Sequence, residues 1–270
     1  MSANKTTKKS RKINKIIYKD IYYNSDNNII HGIYYGREPT NTKKSGLIIY
    51  ARGGNNHPIH KNSMNLNKND FYKTWLYHLV KNHNYIVLGS DFRGSYGSTG
   101  EDDIAGNDIN DIINLYHFAM DNYGSNINKN TVYLYGESMG VYKSLIVASQ
   151  KDYFSGLILL SGVYNLESMR TFRPYLYKHW QKDYKLTSDD IKQRDSKIII
   201  SKIIKNIPKI IIFHGNEDTK ASITEMLNFT NLLLKNKFTN FDCHILHNGN
   251  HALIGHDYDI YYNITRYFEI

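Results

Sequence analysis

The sequence predicts an α/β fold, a mostly parallel central sheet covered by helices on both faces. Short, almost wholly apolar runs, such as residues 46–51 (GLIIYA) and 85–89 (YIVLG), alternate with segments whose apolar residues recur every three or four positions. Strands buried on both faces read as such runs, and amphipathic helices as such spacings. Glycine-rich turns follow several of the runs, the pattern expected where parallel strands hand over to helices. With 270 residues, 41% of them hydrophobic, the chain is long enough for one large core and too apolar to be wholly disordered.

Taken in order, residues 16–23 and 29–35 are β-rich and flank Asn24-Ser25-Asp26-Asn27-Asn28, a hairpin signal in which Asn and Asp supply the turn. The 46–51 strand ends in Arg52-Gly53-Gly54-Asn55-Asn56. Asp70 is placed to cap a helix running to Lys81, with Phe71, Trp75, Leu76 and Leu79 on one face. The 85–89 strand runs into a glycine-rich loop over 91–100, where Arg93 is expected to hold the loop rather than react. Ile109, Ile112, Ile113, Tyr116 and Met120 mark a helix, residues 131–135 a strand and 141–150 a helix. Residues 156–160 and 209–213 are further strands, and 222–234 is helix-like. A last strand at 241–246 precedes a closing helix marked by Ile260, Ile264, Tyr267 and Phe268. The segment 166–196 is polar and aromatic and reads as a small helical insertion, a lid. Its Phe172, Tyr175, Tyr177, Trp180 and Tyr184 are candidates to line an acyl pocket, but aromatics in such segments more often simply pack a lid, and no role is assigned to them.

Six of the positive charges behind the formal +9 are Lys5, Lys8, Lys9, Arg11, Lys12 and Lys15, with no acidic residue before Asp20. The basicity is therefore mainly a tail, residues 1–15, expected to be disordered ahead of one domain over 16–270. Such an arm can make a weak polyanion contact, though nucleic acid is not the expected partner, and the alternative function is a non-catalytic binding or scaffold protein whose basic tail engages nucleic acid or an acidic surface. No apolar run is long enough for a membrane span; the best, 197–213, is broken by Lys202, Lys205 and Lys209. The N-terminus lacks the apolar stretch of a signal peptide, and the lone Cys243 fits a reducing compartment. The expected location is cytoplasmic. No His, Cys and carboxylate cluster has metal spacing, and no glycine loop leads into Gly-Lys-Ser/Thr, so neither metal nor cofactor is expected.

Chemistry concentrates at Gly136-Glu137-Ser138-Met139-Gly140, a G-x-S-x-G pattern between a strand and a helix. That context is a nucleophile elbow, which holds Ser138 on a turn tight enough to need glycine on both sides. A serine hydroxyl needs a base to take its proton and a carboxylate to orient that base. In the chain order Ser, Asp/Glu, His, Asp218 follows the strand at 209–213, with Glu217 the adjacent competitor. His251 follows the last strand, His256 is a later rival, and His244 and His247 lie on or beside that strand. The oxyanion of a tetrahedral intermediate needs two N–H donors. Met139, after the nucleophile, supplies one, and Gly54, after the 46–51 strand, the other.

Four blocks then carry a family resemblance: Tyr50-Ala51-Arg52-Gly53-Gly54-Asn55; Asp91-Phe92-Arg93-Gly94-Ser95 with Gly97 and Gly100; Gly136 to Gly140; and His214-Gly215 with Asp218, closed by Gly249 and His251. In this order they resemble the catalytic domain of prolyl oligopeptidase-type serine hydrolases, including the acylaminoacyl-peptidase-like branch of the α/β-hydrolase superfamily. The resemblance implies an α/β-hydrolase fold, Ser138 as nucleophile, Asp218 as orienting acid and His251 as base. It implies a small ester or peptide substrate and an acyl-enzyme. Two departures stand out. Position 52 is Arg, where relatives commonly have His or an oxyanion-binding Tyr, and the sequence leaves open whether Arg52 contributes. The chain also leaves no room for the β-propeller many relatives carry, nor for the acidic residues that grip a peptide N-terminus.

Overall fold

The computed structural model describes residues 15–38, 43–54, 73–95 and 97–270. The basic segment 1–14, Asn55, Asn56 and the expected helix start at Asp70 and Phe71 lie outside these residues.

Eight strands among the described residues form one sheet in the order β1-β2-β4-β3-β5-β6-β7-β8. They are β1 (Ile16–Ser25), β2 (Asn28–Arg37), β3 (Ser45–Ala51), β4 (Tyr85–Ser90), β5 (Ile127–Glu137), β6 (Gly156–Leu160), β7 (Ile210–Gly215) and β8 (Phe241–Leu246). β1 and β2 pair antiparallel, as do β2 and β4, and every later pairing is parallel. Every residue of β3, β4, β6 and β7 is buried, which is why these strands are continuous apolar runs. β1, at one edge, instead alternates over its second half: Ile21, Tyr23 and Ser25 are buried while Asp20, Tyr22 and Asn24 face out.

Helices cover both faces. On one, α1 (Thr74–His83) and α9 (Asp257–Phe268) bury Trp75, Leu76, Leu79, Ile260 and Ile264 against the sheet. The other carries α2 (Ile109–Tyr123), α3 (Met139–Gln150) and α8 (Ile223–Lys235). Of these, α3 lies deepest: every residue from Met139 to Ser149 is buried. Between β6 and β7 run α4 (Met169–Phe172), α5 (Pro174–Asp183), α6 (Ser188–Asp195) and α7 (Ile200–Asn206).

Three expectations need adjustment. The hairpin turns over only Asp26 and Asn27; Asn24 and Ser25 pair with Ile29 and Asn28, and Asp26 takes φ 52°. Asn and Asp tolerate that left-handed conformation, so a two-residue turn suffices. The described helix α1 runs from Thr74 to His83 and adds Val80 to its buried face. On α2 the buried face continues through Leu115 and Ala119, while Tyr116 and Met120 are only half-buried. Leu115 and Ala119 also sit at helical spacing, so periodicity alone did not separate the two stripes.

Candidate active site

The parallel strands deliver their following loops to one end of the sheet, where ligands bind in this class of fold. β5 ends at Glu137 and α3 begins at Met139, leaving Ser138 alone in the turn at φ 55°, ψ −120°. A non-glycine residue holds that conformation only when its surroundings fix it. Here the Ser138 N–H donates to the Leu160 carbonyl at 3.0 Å, and the Ser138 carbonyl accepts from Val163 N–H at 3.1 Å. The flanking glycine is forced by packing: a Cβ on Gly140 would lie 1.9 Å from the Ala51 carbonyl oxygen.

The loop after β7 carries Asp218 and the loop after β8 carries His251. Backbone bonds tie the two loops together, with Asn216 N–H donating to the Leu246 carbonyl at 3.1 Å and Glu217 N–H to the Gly249 carbonyl at 3.0 Å. His251 Nε2 sits 3.0 Å from Ser138 Oγ. Its Nδ1 sits 2.8 Å from Asp218 Oδ2 and 3.0 Å from Oδ1. Asp218 Oδ1 also accepts the N–H groups of Lys220 at 2.8 Å and Ala221 at 3.0 Å. The Asp218 side chain is fully buried. Burial alone would raise its pKa; the bonds from His251 and the two backbone amides outweigh that and hold the carboxyl below its ordinary range. His214, also fully buried, donates from Nε2 to the Ala221 carbonyl at 3.1 Å and stands 3.4 Å from Asp218 Oδ2. Burial depresses its pKa and favours the neutral ring.

The competitors named from sequence stand elsewhere. Glu217 is exposed. His256 Nδ1 lies 3.4 Å from Asp259 at the start of α9, His244 stacks on Phe213 at 4.9 Å, and His247 is exposed. Gly54 and Met139, the two expected oxyanion donors, line the same cleft as Ser138, a space of about 210 Å³. The Gly54 loop abuts Ser138 so closely that a Cβ on Gly53 would fall 2.8 Å from Ser138 Cβ. Arg52 belongs to a different structure. It is buried, donates to the carbonyls of Gly53 at 2.8 Å and Asp91 at 2.6 Å, and brings Nε to 3.7 Å from the Asp91 carboxylate. It thereby joins the ends of β3 and β4. Arg93 likewise holds its loop, bonding Asp111 at 2.7 Å and Asp26 at 2.8 Å.

Two features go beyond the sequence reading. Of the aromatics of 166–196, to which the sequence assigns no role, Trp180 and Tyr184 line the cleft beside Ser138, as do Met169 and Leu176. Tyr175 by contrast is 88% exposed. The second is a partly buried polar network around Glu137, the variable residue before Ser138. Its Oε2 accepts Tyr135 at 2.8 Å, Tyr50 at 2.9 Å and the ammonium of Lys73. Lys73 and the two tyrosines hold the Glu137 carboxyl below its ordinary pKa against the opposing effect of burial. Tyr50 and Tyr135 are register partners on adjacent strands, stacked at 4.5 Å. Two tyrosines at matching ends of apolar strands were the available signal. Glu137 and His251 also border a second cavity, of about 190 Å³, with Leu253, Ile254 and Ile260.

Among the described residues no group of three or more His, Cys, Asp or Glu is placed to hold a metal ion. Among them too, no helix is long and apolar enough to cross a membrane.

The eight-stranded, mostly parallel sheet with Ser138 at its central elbow defines an α/β-hydrolase. A solved acylaminoacyl peptidase from Pyrococcus horikoshii superposes with a TM-score of 0.67 over 95% of this chain, at 17% identity. An esterase from Pyrococcus furiosus does so with 0.67 over 94%, at 16% identity. A puromycin-hydrolyzing peptidase from Mycobacterium tuberculosis gives 0.70 over 93%, at 12% identity. The chain spans only 41% of the acylaminoacyl peptidase and 39% of the Mycobacterium peptidase, but 91% of the esterase. No curated protein sequence matches it. The model of the prolyl oligopeptidase family matches residues 71–269, and the chain belongs to that family of serine hydrolases.

Proposed function

We propose that the chain cleaves ester or peptide-like acyl bonds through a covalent acyl-enzyme, with Ser138 as nucleophile, His251 as base and Asp218 as its orienting acid. The observation that carries this reading is the continuous relay from Ser138 Oγ to His251 Nε2 at 3.0 Å and from Nδ1 to Asp218 at 2.8 Å. Family membership supports it. Nε2 takes the hydroxyl proton as Oγ attacks the carbonyl carbon. The N–H groups of Met139 and Gly54 stabilise the oxyanion. His251 then gives the proton to the leaving group as its bond to carbon breaks. Water repeats the sequence on the acyl-enzyme, releasing the acid and restoring Ser138. Asp218 keeps the Nδ1 proton facing itself and steadies the imidazolium. Residues 16–270 form the hydrolase domain in this reading, and the helices over 166–196 serve as its lid.

Ser138→Ala tests the assignment on a panel of short-chain 4-nitrophenyl esters and peptide anilides. Turnover on any substrate the wild type cleaves is expected to fall by about 10⁶. A folded Ser138→Ala protein with wild-type turnover would overturn it.

A further inference from the structure

We infer that the cleft beside Ser138 selects acyl groups that end in a negative charge, a carboxylate at the far end of a short chain. The inference rests on the serine-hydrolase reading and adds the substrate class to it. Two spaces flank the reacting groups, and they differ in lining. The one bordered by His251 does not include Ser138, whereas the one bordered by Ser138, Met139 and Gly54 does not include His251. His251 protonates the leaving group, so the leaving group belongs on the His251 side and the acyl group in the cleft with the oxyanion donors.

That acyl cleft has an uneven wall. Val163, Met169, Leu176 and Trp180 give it apolar sides suited to methylene groups. Three cationic or titratable side chains, Arg173, His179 and Lys220, also line it, and none of its described lining residues is a carboxylate. His179 is matched by Asp183, 2.5 Å away. Nearby, Glu167 is taken by Arg170 at 3.6 Å and by the Tyr177 hydroxyl at 2.8 Å. Arg173, half-buried, and Lys220, exposed, have no side-chain carboxylate partner among the described residues. They come from different parts of the fold, the start of α5 and the loop that carries Asp218, yet converge on one cleft. Two cations with no carboxylate partner among the described residues, beside an apolar channel, match a ligand with an apolar stem and an anionic end. The cleft, of about 210 Å³, is roomy enough for a short acyl chain.

Three 4-nitrophenyl esters test this: hydrogen adipate, its neutral adipamate counterpart, and the cationic 6-aminohexanoate. A hydrogen bond to a charged group contributes enough for a tenfold to hundredfold preference. The wild type is therefore expected to favour the adipate over the adipamate in kcat/KM by about tenfold or more. The double variant Arg173→Glu with Lys220→Glu is expected to reverse the order and favour the 6-aminohexanoate. Should that variant not fold, Arg173→Gln alone is expected to lower the adipate-to-adipamate ratio by about threefold or more. Equal hydrolysis of the adipate and adipamate by the wild type would overturn the charge selection and leave the serine mechanism standing. A folded wild type that cleaves none of the three and takes no fluorophosphonate label would overturn the mechanism and the inference with it.

Discussion

Two carboxylates stand near the elbow, Asp218 with its side chain fully buried and Glu137 partly buried, and their partners differ in kind. Asp218 bonds an imidazole that reaches Ser138 Oγ, so in the proposed mechanism its charge acts on a proton that moves. Glu137, next to Ser138 in sequence, bonds an ammonium and two phenols. They tie the ends of β3 and β5 and Lys73 to one carboxylate, so its charge fixes these parts in place. Both carboxyls have depressed pKa values against the cost of burial, Asp218 chiefly through its hydrogen bond from His251 and Glu137 chiefly through the positive charge of Lys73. A perturbed pKa thus marks an organised site without saying what it does. The partner decides that.

Substitutions should separate the two. His251→Ala removes the base and should cost about as much turnover as losing the serine, near 10⁶. Asp218→Asn leaves the loop packed but presents an amide to Nδ1, favouring the wrong tautomer. Turnover should drop by about 10⁴, with little change in melting temperature. Glu137→Gln should do the reverse. It leaves the Lys73 ammonium without its counter-charge, a loss of about 2 kcal/mol, seen as a melting point lower by several degrees, with turnover within about tenfold of wild type. Should Glu137→Gln abolish turnover in a folded protein, the division between the two carboxylates fails.

What the sequence revealed follows the same division. Ser138, Asp218 and His251 were legible as candidates because each lies in a loop directly after a strand, in the chain order a Ser, Asp, His set requires. Strand-end position admits Asp218 and its neighbour Glu217 alike, and the structure puts Glu217 in solvent. Lys73 was not legible: nothing local distinguishes it from other lysines, and its partner lies 64 residues away. The sequence assigns Trp180 and Tyr184 no role for a related reason. Periodicity says that a helix has an apolar face, but only tertiary packing says whether that face meets the core or a cleft. Arg52 could not be placed because its partner Asp91 sits on the neighbouring β4 loop.

The smallest effect concerns pH. His214 is fully buried with its pKa depressed, so between its folded value and about 6.5 the unfolded chain binds more protons. Stability therefore rises with pH through that window and falls as the solution is acidified below about 6.5, by at most about 1.4 kcal/mol per pH unit. Asp218 extends the loss to lower pH, since its stabilisation disappears as pH falls through its own depressed pKa. Urea titrations of the wild type and His214→Gln from pH 7 to 5 should show a shallower slope for the variant. Identical slopes would remove His214 from this role.

The central claim is that the relay activates one serine out of the many in the chain. Intact-mass analysis after treatment with a fluorophosphonate, on the wild type beside Ser138→Ala and Asp218→Asn, tests it directly. A single adduct is expected on the wild type, none on Ser138→Ala and a much slower one on Asp218→Asn. An adduct of equal yield on folded Ser138→Ala, or none on folded wild type, would contradict it.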